Sequence, residues 1–72
     1  MKRPDSTGAR LRALRLQEDM TQKEFAELLG VSREAYAYYE TNGCLPSVKV
    51  LCKMAKTLNV STDYILCLKD EK

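Results

Sequence analysis

This 72-residue chain holds no histidine, so the groups able to do chemistry are its guanidinium, ammonium, carboxylate, phenol, carboxamide, hydroxyl and thiol side chains. Without imidazole there is no His-based metal site, no Ser-His-Asp or Cys-His nucleophile, and no ready general base near neutral pH. Three cysteines, Cys44, Cys52 and Cys67, are odd in number and too widely spaced for a Cys-x-x-Cys zinc site or a disulfide framework. Cys52 reads as a small buried apolar residue. The composition therefore argues against an enzyme and calls for no metal or cofactor. What remains is recognition. Gln22 and Ser47 stand at helix starts, where free backbone amides and the helix dipole favour an anion.

Charge supports the same direction weakly. The net charge is +2, but residues 1–17 carry Lys2, Arg3, Arg10, Arg12 and Arg15 against Asp5 alone. Residues 18–40 are acidic, with Glu18, Asp19, Glu24, Glu27, Glu34 and Glu40 against Lys23 and Arg33, and residues 41–72 are again basic. A positive start and end permit a polyanionic partner and equally fit a solvated mixed-charge surface. With 44% apolar and 31% charged residues the chain has the make-up of one small globular domain. No apolar run approaches the ~20 residues of a membrane span and no signal-peptide pattern opens it, so a cytoplasmic location is expected.

The elements that must position these groups are helices, because helix caps punctuate the chain and no strand-like alternation persists. Ser6 caps a first helix to about Gln17, with Leu11, Leu14 and Arg15 on one face and Leu16 off it. Thr21-Gln22-Lys23-Glu24 is a capping box that opens a second helix, about 22–29, with Phe25, Ala26 and Leu29 inward and Gly30 ending it. Ser32 caps a third helix, about 33–41. Asn42-Gly43 marks a turn, and Pro46 forbids helix before it. Ser47 caps a fourth helix, whose stripe is Val48, Leu51, Ala55 and Leu58, flanked by Cys52 and Met54. Asn59 stops it, Val60 packs inward, and Ser61 caps a short fifth helix holding Tyr64, Ile65 and Leu66. The predicted organisation is a flexible arm over 1–5, an all-α five-helix domain over 6–68 and a frayed tail over 69–72.

The turn at Gly30-Val31-Ser32 is too tight for antiparallel helices, so the second and third must cross steeply, as in a helix-turn-helix. From Thr21 through Arg33, then Tyr36, Tyr39-Glu40, Leu45-Pro46-Ser47 and Leu58-Asn59-Val60-Ser61-Thr62-Asp63-Tyr64-Ile65, the sequence resembles the Xre/Cro-type helix-turn-helix proteins, which include phage repressors. The resemblance spans roughly residues 7–66. It implies a compact five-helix phage-repressor-like domain that lays its third helix in the DNA major groove, and it places Gln22 against the DNA backbone.

On a helical wheel Tyr36, Tyr39 and Glu40 face one way, and Glu34, Ala37, Tyr38 and Thr41 the other, with Arg33 at the N-terminal end. The resemblance buries the first set and leaves the second for DNA. Arg33 then suits guanine O6 and N7, Glu34 cytosine N4, and Tyr38 a thymine methyl or a phosphate. One departure matters: Thr41 to Leu45 holds none of the basic residues usual in the family there. Phosphate contacts would fall to backbone amides, Asn42 or Lys49, which keeps open a protein-interaction module, such as an antitoxin or adaptor, on the same fold. Arg15 and Glu40 match a family ion pair joining the first and third helices. Finally, Leu66, Cys67 and Leu68 cannot all follow Ile65 into the core, so they are the expected interface of a homodimer on a palindromic double-stranded DNA operator.

Overall fold

In the computed structural model, which describes residues 6–41 and 44–71, five helices appear in order. They are α1 (Thr7–Gln17), α2 (Gln22–Leu29), α3 (Arg33–Thr41), α4 (Val48–Leu58) and α5 (Thr62–Ile65). Each begins where a hydroxyl can satisfy a first-turn amide. Ser6 accepts from the Ala9 N–H, Ser32 from Ala35, Ser47 from Val50 and Ser61 from Tyr64. At α2 the capping box is complete: the Glu24 amide donates to Thr21 Oγ1 at 3.1 Å, and the Thr21 amide donates to Glu24 Oε1 at 2.9 Å. Those bonds to Thr21 also hold the Glu24 carboxyl below its ordinary pKa. Gly30 ends α2 with φ 72° and Asn59 ends α4 with φ 55°, both left-handed.

The core is built from Leu11 and Leu14 of α1, Phe25, Ala26 and Leu29 of α2, Tyr36 of α3, Met54 of α4, and Val60, Tyr64 and Ile65. α4 corrects the sequence reading. Its inward row is Leu51, Met54, Ala55 and Leu58, with Met54 fully buried, whereas Val48 is 77% exposed and Cys52 is also exposed. Val48 is the first residue of the helix and projects past the edge of the core. Cys52 stands about 100° around the helix from Leu51. Cys52 is therefore a surface thiol and not a core residue.

Two close approaches fix α1. Gly8 lies against the end of α3: a Cβ there would stand 2.5 Å from the Glu40 carbonyl oxygen and 2.6 Å from that of Tyr39. Only glycine lets the first turn of α1 come so near, and it meets carbonyls whose partial charge complements that helix end. Arg10, counted from the sequence only as surface charge, is buried. Its guanidinium sits 4.4 Å from the Tyr64 ring centroid, donates to the Tyr64 carbonyl at 2.7 Å and to that of Lys69, and pairs with Asp70 at 3.0 Å. Lys69 and Asp70, expected in a frayed tail, are thus fastened to α1. Leu66 is the C-cap of α5 and not a residue within it.

Candidate nucleic-acid interface

α3 separates into two faces along its 3.6-residue period. Inward, Tyr36 is fully buried and meets Phe25 of α2 edge-on, with ring centroids 5.3 Å apart, and Tyr39 packs against it at 6.4 Å. Outward, Arg33, Glu34, Tyr38 and Thr41 are exposed and Ala37 is half-buried, so one solvent face gathers a guanidinium, a carboxylate, a phenol and a hydroxyl. The Thr41 hydroxyl donates to the Ala37 carbonyl at 2.8 Å, which leaves its oxygen free to accept from a ligand.

Behind this face lies a polar cluster joining three helices. Arg15 Nε donates to Glu40 Oε2 at 2.8 Å and Arg15 Nη2 to Glu40 Oε1 at 3.3 Å, while Arg15 Nη1 reaches the Met20 carbonyl at 2.9 Å. The side chains are 12% and 2% exposed, which makes this a largely buried ion pair. Gln22 Nε2 also donates to Glu40 Oε1, at 3.1 Å. The Tyr36 hydroxyl is buried beside the pair without a hydrogen bond of its own, yet near enough to influence Glu40. Burial alone would raise the Glu40 pKa. The hydrogen bonds from Arg15 and Gln22, with the nearby Tyr36 hydroxyl, outweigh it and hold the carboxyl below its usual range. The Arg15 guanidinium is raised by its bond to Glu40, and the Tyr36 phenol is raised by burial and by that carboxylate.

Of the sequence-derived site residues, Arg33, Glu34, Ala37, Tyr38 and Thr41 share the outer face of α3. Gln22, at the first position of α2, is linked to α3 through Glu40. Ser47 is exposed and caps α4. Asn42 lies outside the described residues. At the other end Leu66 and Cys67 are half-buried, and Leu68 alone is a strongly exposed apolar residue, at 71%. Sequence reasoning missed the Gln22–Glu40 bond, which spans 18 positions and leaves no local signal. It also missed Arg10, although Arg10 falls four residues before Leu14 and so near the inner face of α1. Among the described residues no cluster of His, Cys, Asp or Glu could hold a metal, and no helix is long and apolar enough to cross a membrane.

Comparison with known proteins places this arrangement. A helix-turn-helix family model matches residues 11–65. The chain is 41% identical over 66 residues to the HTH-type transcriptional regulator ImmR of Bacillus subtilis, covering 92% of this chain and 51% of that protein. It is 37% identical over 59 residues to the SPbeta prophage-derived HTH-type transcriptional regulator YonR of the same organism, covering 82% and 55% respectively. The chain thus spans about half the length of these relatives. Its fold superimposes on the P22 c2 repressor, in a crystal structure with a synthetic operator, with a TM-score of 0.79 at 31% identity. The match covers 85% of this chain and 92% of that one.

Proposed function

Since this chain belongs to the Xre/Cro-type helix-turn-helix family, we propose that it is a DNA-binding transcriptional regulator whose α3 reads the major groove. The division of α3 carries this reading: Tyr36, Tyr39 and Glu40 are spent on the domain, so Arg33, Glu34, Tyr38 and Thr41 are presented on a rigid support. In this docking mode the N-terminal residues of the recognition helix meet base edges. The similar P22 c2 repressor's complex with a synthetic operator supports action at an operator; repression, a palindromic site, a homodimer and a cytoplasmic location are our own extension of that reading. Of Leu66, Cys67 and Leu68, the residues expected at the dimer contact, Leu68 is the most exposed, and a two-fold would set two α3 helices about 34 Å apart.

The test is selection of bound sites from random duplexes, followed by affinity against salt. A DNA reader loses affinity log-linearly with salt, and absence of binding at low salt would overturn the reading. Arg33→Ala is expected to cost about 1–3 kcal/mol on the selected site and to relax preference at one base pair. An equal loss on every duplex would instead make Arg33 a phosphate contact. Leu68→Glu is expected to leave the melting temperature unchanged and to abolish the dimer, read by sedimentation with and without a palindromic duplex. A parent that remains monomeric on such a duplex would refute the dimer. A second reading, a protein-binding module, is favoured by the exposure of Leu45 and Val48. The same salt titration separates the two.

A further inference from the structure

We propose that Glu40 is a positioning residue for Gln22: it fixes the Gln22 carboxamide at the start of α2, and so ties the grip of α2 on a DNA phosphate to the Arg15–Glu40 pair. The inference rests on the DNA-binding reading above. An ionised carboxylate only accepts hydrogen bonds, so the group of Gln22 that faces Glu40 must be its NH2 and not its carbonyl. One N–H meets Glu40 Oε1 at 3.1 Å, and the second is left for an acceptor outside the protein. Nε2 can therefore bridge Glu40 and a phosphate oxygen.

The same cluster fixes the backbone beside it. Arg15 holds Glu40 with Nε and Nη2 and holds the Met20 carbonyl, one residue before the Thr21 cap, with Nη1. The Gln22 and Lys23 amides, in the first turn, have no partner inside α2 and suit the same anion. Arg15 also neutralises Glu40, so the carboxylate orients Gln22 without repelling a phosphate. A glutamine without this anchor would rotate among several rotamers and offer either end of its amide.

The experiment measures affinity for a mixed-sequence DNA duplex two helical turns long, because a phosphate grip does not depend on sequence. The proteins are the parent, Gln22→Ala, Glu40→Asp and the double variant, each held well below its melting temperature. Glu40→Asp keeps the charge for Arg15, whose long side chain can follow, and withdraws the oxygen from Gln22. Gln22→Ala and Glu40→Asp are each expected to weaken binding by roughly tenfold, and the double variant no further. Unchanged binding by Glu40→Asp, or losses that multiply, would overturn the positioning role while leaving the DNA reading intact. A parent without duplex affinity would sink the DNA reading itself. Should Glu40→Asp fail to fold, the side-chain amide protons of Gln22 in the parent decide by NMR. Two well-separated signals, one shifted downfield by the carboxylate, are expected. Signals of a free carboxamide would overturn the proposal.

Discussion

Glu40→Ala is expected to destabilise the domain by about 3–5 kcal/mol, and Arg15→Ala by a similar amount. Removing the carboxylate strands a guanidinium 12% exposed, and removing the guanidinium strands a carboxylate 2% exposed. At roughly 4–8 °C per kcal/mol for a domain of this size, the melting temperature should fall by tens of degrees. Thermal unfolding by circular dichroism reads it. Two single variants that each lose less than about 1 kcal/mol would show that the pair behaves as a surface contact. Replacing both partners with methionine should recover most of the loss, because no charge is then left buried. The same cluster sets the pH dependence. The Glu40 carboxyl is lowered in the folded chain, so its contribution is complete above the ordinary carboxylate value of about 4.3 and is lost as pH falls through the folded value. The Tyr36 phenol is raised, so its contribution is complete below about 10 and is lost at higher pH. In Glu40→Ala the part of the acid limb due to this carboxyl should vanish.

Gly8→Ala is the second large effect. In an exposed helix this exchange would stabilise by about 1 kcal/mol. Here the added carbon would meet two backbone oxygens at 2.5 and 2.6 Å, and neither can swing aside as a side-chain tip could. α1 must lift from the end of α3, and that movement also pulls on the bonds between Arg15 and Glu40. A net loss of about 1–3 kcal/mol is expected despite the gain in helix propensity. DNA affinity should fall with it, since α1 supports the helix that meets the groove. An unchanged melting temperature for Gly8→Ala would show that the contact is looser in solution.

What the sequence made legible was whatever is local. A serine or threonine caps the amide three residues on, so Ser6, Thr21, Ser32, Ser47 and Ser61 could be placed from the sequence alone. The period of 3.6 residues divided α3 into two faces, but tyrosines stand on both and Glu40 on the inner one, so it was the family resemblance that said which face is buried. The period was not enough for α4. Val48, Val50, Leu51, Cys52, Met54 and Ala55 cover more than half of that helix's circumference, so the pattern has no sharp centre. The inward row was then decided by what α2 and α5 offered: Met54, expected only at the flank of the stripe, is at its centre, and Val48 is left out of it. Gly8, Arg10 and the Gln22–Glu40 bond were illegible for a related reason. Each depends on a partner far along the chain; only Arg10 had a local sign, its place four residues before Leu14, and that did not name its partners.

The clasp made by Arg10 governs time as well as stability. Its partners Tyr64, Lys69 and Asp70 lie 54, 59 and 60 positions downstream, whereas α2 and α3 meet across a single turn. Closing the long loop costs chain entropy before any of those bonds can form, so the local helix pair has the advantage in nucleation. Arg10 is then expected to enter after the rate-limiting step, so Arg10→Ala should speed unfolding and leave the folding rate nearly unchanged in stopped-flow measurements. An interaction absent from the transition state leaves the folding rate almost untouched and slows unfolding. This one side chain therefore acts on the lifetime of the folded domain and has little influence on how quickly it is reached.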